Sequence, residues 1–197
     1  TVAMAISVAG PFAGIVAGLA TGIAIGIFNG LLTTKVGIPS FLTTLAMMGV
    51  AKGIAMWMSD TAAVPILSQG YAWWFGGGSI GAIPVLLFWM LLFGIIGHLL
   101  LRRTSFGRRV LATGGGEQAA SYSGINTAQV KFRVLVLSSS AAAIAGMLYA
   151  GRLQSGRFQL GEGDELSVIA AAVLGGTSLF GGKGTVIGTI VGALMIG

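Results

Sequence analysis

Apolar residues in this chain come in long runs rather than in the alternating or four-residue rhythm of a half-buried surface element. Residues 1–34 carry no charged side chain, and Phe41 to Met58 is interrupted only by Lys52 and a few small polar residues. Pro84 to Leu101 is apolar apart from His98, Val134 to Gly151 is charge-free, and Thr185 to Gly197 begins another apolar run. A helix crosses a bilayer with about 20 mostly apolar residues, or about 17 at the short end. These runs predict five spans. A sixth segment, Leu166 to Gly182, is charge-free but holds the pairs Gly175-Gly176 and Gly181-Gly182, which leaves open whether it crosses or re-enters. The predicted fold class is all-α: a polytopic transmembrane helix bundle with five to six membrane segments, forming one domain over residues 1–197.

The polar positions between the runs set the orientation. Residues 102–133 contain Arg102, Arg103, Arg108, Arg109, Lys131 and Arg133 against the single acid Glu117, whereas residues 59–83 contain no Lys or Arg. Basic loops stay on the cytoplasmic side, so 102–133 is expected inside and 59–83 outside. Lys35 then falls inside, Lys52 lies toward the outer end of its helix, and the 152–165 loop falls outside. Lys183 is inside if 166–182 crosses; if that segment re-enters, the final helix reverses. Tyr71, Trp73 and Trp74 in the outer loop suit a membrane–water interface, with direct solute contact as the other reading.

Composition strengthens this picture. Charged residues make up 8% of the chain and mean hydropathy is +0.93, where a soluble domain carries about a quarter charged residues. Lipid is therefore the expected solvent, and the formal charge of +6 reflects the cytoplasmic loop rather than a nucleic-acid partner. The absence of cysteine removes disulfides, thiolate metal sites and cysteine nucleophiles together. The chain opens inside one apolar run and closes inside another, with no signal-peptide pattern, so it is expected to be incomplete at both ends.

Thirty-four glycines would weaken a soluble helical protein, but in membrane helices they let backbones approach closely. Gly10, Gly14, Gly18, Gly22, Gly26 and Gly30 recur every four residues along the first span, and Gly184, Gly188 and Gly192 repeat the device at the end. Such ladders predict tight packing faces; smooth faces for sliding during gating remain the alternative. Asn29, near the inner end of the first span, either caps or bonds a neighbour, or faces the solute pathway. Pro39 opens the next helix from its first turn.

Candidate chemistry is sparse. Gly176–Thr185 reads GTSLFGGKGT, but a phosphate-binding loop needs Ser or Thr directly after the lysine, and Gly184 follows Lys183. His98 is the only histidine, and Asp60, Glu117, Glu162, Asp164 and Glu165 all lie in or beside loops. No catalytic or metal-binding constellation is read. A carrier driven by protons usually holds ionisable groups within its spans; here Lys52 alone is a clear intramembrane charge, which argues toward an external energy source. In the basic loop, Thr113 to Gly116 supplies flexible backbone and Glu117 to Ser123 a short helix, with Gly124 as its C-terminal cap. That helix can transmit force from a partner, or the loop is a solvated connector. Arg152, Arg157, Glu162, Asp164 and Glu165 make the outer 152–165 loop a surface of both signs.

Three stretches resemble the permease subunits of ribose/xylose/galactose-type ATP-binding-cassette importers, a group related to branched-chain amino-acid and nucleoside permeases. They are Asn29-Gly30-Leu31-Leu32 with Ile38-Pro39-Ser40-Phe41 and Thr44-Leu45; Thr104-Ser105-Phe106-Gly107-Arg108-Arg109 continuing to Ala119-Ala120 and Ser123-Gly124-Ile125; and Glu165-Leu166, Ile169-Ala170-Ala171, Leu174-Gly175-Gly176-Thr177-Ser178-Leu179 and Gly181-Gly182-Lys183-Gly184. The resemblance implies a multi-pass permease domain in a bacterial inner membrane, in which a second permease copy shares the pathway. It implies an ATPase partner that uses ATP and Mg, with no cofactor on this chain, and a periplasmic substrate-binding protein above. Ala119, Ala120 and Gly124 match the Ala-Ala-x-x-x-Gly core of the coupling loop; Gln118 stands where the general pattern has Glu, with Glu117 one residue earlier. Docking of the binding protein would fall on Arg152, Arg157, Glu162, Asp164 and Glu165. A branched-chain amino-acid or nucleoside permease is the alternative within the family, and a secondary carrier or channel the alternative outside it.

Overall fold

The computed structural model describes residues 1–81 and 83–197. In chain order the elements are α1 (Val2–Leu31) with a π-helical turn (Leu32–Val36), α2 (Ser40–Ser59), β1 (Val64–Pro65), α3 (Gln69–Ala72) with a π-helical turn (Trp73–Gly77), β2 (Ser79–Ile80) and β3 (Ile83–Pro84). They continue with α4 (Val85–Arg103), α5 (Ser105–Gly115), α6 (Glu117–Tyr122), α7 (Thr127–Leu153), β4 (Ser155–Gly156), α8 (Asp164–Leu174) and α9 (Val186–Ile196). Among the described residues four helices are long and apolar enough to cross a membrane: α1 with its π-helical turn, α2, α4 and α7. The chain is helical, as its apolar runs require, with two antiparallel pairings of two residues each among the described residues, β1 with β4 and β2 with β3. It divides into two compact units: Thr1–Phe88 with Phe132–Leu160, and Trp89–Lys131 with Gly161–Gly197.

In the first unit Gly18, Gly22, Gly26 and Gly30 of α1 form a docking groove for α7. Gly14, Gly18, Gly22, Gly26 and Gly30 are buried. A Cβ at Gly30 would sit 2.6 Å from the Phe132 ring, one at Gly26 would sit 2.8 Å from Val136 Cα, and one at Gly22 would strike Ala143. The α7 partners rise in number as the glycines fall, so the two helices run antiparallel at backbone distance.

The first span is not the single helix expected over 1–34. Gly10 takes φ 88°, ψ 176°, and Pro11 follows it. Proline has no N–H to continue the ladder and clashes with the carbonyl four residues back, so the helix breaks there. The arm before the break folds back: Ile6 covers Gly14 and Val2 covers Gly18. Gly10 is thus the bend and not a rung of the ladder.

The 59–83 segment is folded rather than a plain loop. Val64 pairs with Gly156 and Pro65 with Ser155, and Ile66 N–H donates to Gln154 O at 2.8 Å. Tyr71, expected at the membrane–water interface, is instead only 2% exposed. Its ring stacks on Phe75 at 4.8 Å and its hydroxyl donates to Met147 O at 3.0 Å, which satisfies the polar tip that would otherwise seek water. Trp73 and Trp74 remain partly exposed.

In the second unit the open question of 166–182 resolves into a broken segment. Helix α8 stops at Leu174 after 11 residues, which spans about 16 Å at ~1.5 Å per residue. Its acidic first turn, Asp164 and Glu165, suits the positive end of a helix dipole. Its C-terminus closes as Gly176 N–H bonds Val173 O at 2.9 Å and Thr177 N–H bonds Ala172 O at 3.0 Å. Residues 175–185 then form an irregular turn, and α9 returns antiparallel to α8: a Cβ at Gly192 would strike Ala171 O, and one at Gly188 would strike Gly175 O. The turn lies against α5 of the basic loop, Gly181 and Gly182 meeting Gly114 and Gly115, so Lys183 falls beside that loop. Of the terminal ladder, Gly188 and Gly192 make the packing face, while Gly184 sits in the turn beside Thr177. The apolar run 185–197, counted as a span from sequence, yields 11 helical residues.

Gly26→Leu forces a large side chain into the α1–α7 contact and should destabilise the solubilised protein by about 1–3 kcal/mol or more. Gly49→Leu, at a position with open space around it, should leave the thermal midpoint nearly unchanged, so a comparison of the two melting curves tests the groove.

Candidate functional site

The basic loop folds into two helices. Thr104 leaves α4 with extended backbone, and its hydroxyl accepts from Gly107 N–H at 3.1 Å to cap α5. Gly107 lets the first turn of α5 lie on the carbonyls of Leu100 and Leu101. Helix α5 runs through Gly115, so Thr113, Gly114 and Gly115, expected to be flexible backbone, are helical and the break comes at Gly116. The Thr113 side chain is buried, and its Oγ1 has no hydrogen-bond partner among the described residues.

Helix α6 begins directly after Gly116. Its C-terminus is closed by Gly124, which takes φ 82°; Gly124 N–H bonds Ser121 O at 3.0 Å and Ile125 N–H bonds Ala120 O at 3.1 Å. This double closure needs a left-handed residue, which glycine supplies without a Cβ penalty. Asn126 Oδ1 then accepts from Gln129 N–H at 3.0 Å and caps α7. Ala120 points inward and is buried, while Glu117, Gln118, Ala119 and Gly124 are exposed. Tyr122 is 91% exposed on the same short helix. An aromatic residue in a short helix of small and polar residues is the sequence signal that marks it.

Glu117 is held toward α7 by Lys131 at 2.6 Å, a pair about half exposed on both sides. The Lys131 hydrogen bond holds the Glu117 carboxyl below its ordinary value; the nearby ammonium charge and a hydrogen bond with Thr127 act the same way, against a smaller opposing effect of burial.

The other expected site residues lie apart from this loop. Arg152 closes α7 and Arg157 follows β4; both are exposed and belong to the first unit. Glu162, Asp164 and Glu165 are exposed and belong to the second. Glu165 accepts from Gly163 N–H at 3.0 Å, ahead of α8. Asn29 is 3% exposed, and its Oδ1 has no partner among the described residues. A cavity of about 610 Å³ opens in the first unit among α1, α2 and α7, lined by Thr21, Ser139, Arg157 and many apolar groups. Asn29 does not line it. In the GTSLFGGKGT stretch, the Thr185 hydroxyl accepts from Gly188 N–H at 3.2 Å and donates to Gly175 O at 3.0 Å, so it works as a helix cap.

Four helices long and apolar enough to cross a membrane, a backbone-packed helical hairpin and an exposed polar helix on a basic loop define a multi-pass membrane protein. Over residues 1–197 the chain matches the family described as "Branched-chain amino acid transport system / permease component", and it belongs to that family. It is 43% identical over 170 residues to the ribose import permease protein RbsC of Bacillus subtilis (strain 168), covering 86% of this chain and 53% of that protein. It is 40% identical over 174 residues to the L-arabinose transport system permease protein AraH of Escherichia coli (strain K12), covering 86% and 51%. The RbsC protein of the same E. coli strain is 36% identical over 174 residues, covering 85% and 53%. The chain thus spans about half the length of the curated relatives it matches. No solved structure matches it.

The Glu117–Lys131 contact fixes the sign of a pH effect. The folded carboxyl value is depressed, so the contact stabilises above the unfolded value and is lost as pH falls through the folded one. Amide exchange across residues 117–131 should be slower in the wild type than in Glu117→Gln at neutral pH. The difference should vanish once the pH has dropped below the ordinary carboxylate range.

Proposed function

We propose that the protein is the permease subunit of an ATP-binding-cassette importer in a bacterial inner membrane, and that it moves a monosaccharide or similar polyol by alternating access. The observation that carries this reading is α6, an exposed helix closed by a left-handed glycine, in a chain whose curated relatives are named ribose and L-arabinose permeases. Residues 102–133 act as the cytoplasmic coupling loop of one permease domain. Glu117, Gln118, Ala119 and Tyr122 face the ATPase, Ala120 seats α6, and Gly124 sets its end. The ATPase binds and hydrolyses ATP with Mg, and this chain needs no cofactor of its own.

ATP-driven closure of the nucleotide-binding units pushes α6, the spans rock, and the pathway opens toward a periplasmic binding protein. That protein docks on Arg152, Arg157, Glu162, Asp164 and Glu165, where charges of both signs favour orientation and encounter rate. A second permease copy completes the pathway. Asn29, buried near the inner end of α1 with no partner for its Oδ1 among the described residues, is the pathway candidate, reached only if α1 shifts during the cycle. The family description favours a second reading, in which the cargo is a branched-chain amino acid.

Reconstitution of the permease with its ATPase and binding protein in vesicles separates the two readings: ATP-dependent uptake of labelled ribose or arabinose, and not of leucine, is expected. Leucine uptake alone would transfer the assignment to the second reading, and ATP-independent uptake would remove the importer class. In the same vesicles Gly124→Val, which costs about 1–2 kcal/mol in a left-handed conformation, should leave membrane insertion intact. It should reduce uptake about tenfold or more while ATP hydrolysis continues. Tyr122→Ala should weaken co-purification of the ATPase by about tenfold, the loss expected of an aromatic anchor.

A further inference from the structure

Helix α6 is held on its two sides by contacts of different stiffness. Toward α7 it is tied by the Glu117–Lys131 pair, about half exposed on both sides, and pairs in water hold geometry weakly. On the other side it continues from α5, and α5 is seated backbone to backbone on the 175–185 turn. A Cβ at Gly114 would lie 2.7 Å from Gly182 N, one at Gly182 would lie 2.8 Å from Gly115 Cα, and one at Gly181 would strike Gly114 O. Gly181 and Gly182 take φ 89° and 77°, so space and conformation both require glycine there. The turn is itself fastened: Ser178 N–H bonds Lys183 O at 3.0 Å, and the Thr185 hydroxyl ties the start of α9 to Gly175 at the end of α8. Beyond it α8 and α9 again meet at backbone distance, Gly175 against Gly188 and Ala171 against Gly192. Contacts of this kind contain no side chain that can change rotamer to absorb a displacement, and close-packed interiors transmit strain.

We propose that α5, the 175–185 turn and the α8–α9 hairpin move as one body when α6 is displaced, and that Gly114, Gly181 and Gly182 are the positioning residues that carry the displacement into the hairpin. The link to α7 yields instead. This rests on the reading of α6 as the coupling helix, and the test separates the two.

Residues 1–197 contain no cysteine, so introduced pairs are the only thiol sites for spin labels within this segment. In the assembled transporter, one pair is placed at Ala112 on α5 and Leu194 on α9, a second at Ser121 on α6 and Gln129 on α7. Distances are measured without nucleotide and with ATP trapped. The 121–129 distance should change between the states while the 112–194 distance stays within the width of its distribution. A changing 112–194 distance beside a moving α6 overturns the rigid junction alone; a 121–129 distance that does not respond overturns the coupling assignment and the junction with it. Gly182→Ala, scored on protein that inserts and retains the ATPase, should raise the ATP hydrolysed per solute moved. A fall in both rates with their ratio unchanged would reduce Gly182 to a folding role and overturn its assignment as a positioning residue.

Discussion

The constraint on which this structure depends is that helices in lipid gain almost nothing by hiding apolar surface from one another. Association has to come from close contact, and close contact between helices requires that side chains be absent along the seam. The protein meets that requirement at several seams, among them those between α1 and α7, between α8 and α9, and between α5 and the 175–185 turn. At each seam a Cβ would collide with backbone or with a buried neighbour. Much of the glycine content of the chain is therefore spent on fixed geometry rather than on mobility.

The same constraint explains how much could be read from the sequence. The long helices were legible because an apolar run of sufficient length has one physical interpretation in a bilayer, and the basic loop was legible because charge can stay only where water is. The glycine groove from Gly18 to Gly30 was legible because spacing by four maps onto one helix face. Gly10 belonged to the same arithmetic and yet became a bend, since spacing carries no information about φ and the adjacent Pro11 decided the matter. Tyr71 was misplaced for a related reason. Its amphipathic ring suits an interface, and the carbonyl of Met147 that satisfies its hydroxyl lies 76 residues away, beyond any local pattern.

The loop between α4 and α7 shows the limit from the other direction. The short helix at 117–122 and the role of Gly124 as its end were visible in local composition. Helix α5 was not, because its closing glycines read as flexible chain when taken alone. They are helical because Gly181 and Gly182, far along the sequence, occupy the space beside them. Tyr122 stood out only as an aromatic residue in a short polar helix; its exposure, which sets it apart, is visible only in the fold.

The pairing of β1 with β4 bears on how the molecule is made. Val64 joins Gly156, and at the rate of synthesis of about 5–20 residues per second that partner is translated roughly 5–20 s later. During that interval the segment lacks β4, the Met147 carbonyl that Tyr71 bonds and the Gly151 backbone against which Phe75 and Gly76 pack. Ile66 and Tyr71 must wait uncovered until α7 has been threaded. Closure of this segment is therefore a late event of biogenesis, and a chain arrested before α7 would leave these apolar side chains exposed to quality-control factors.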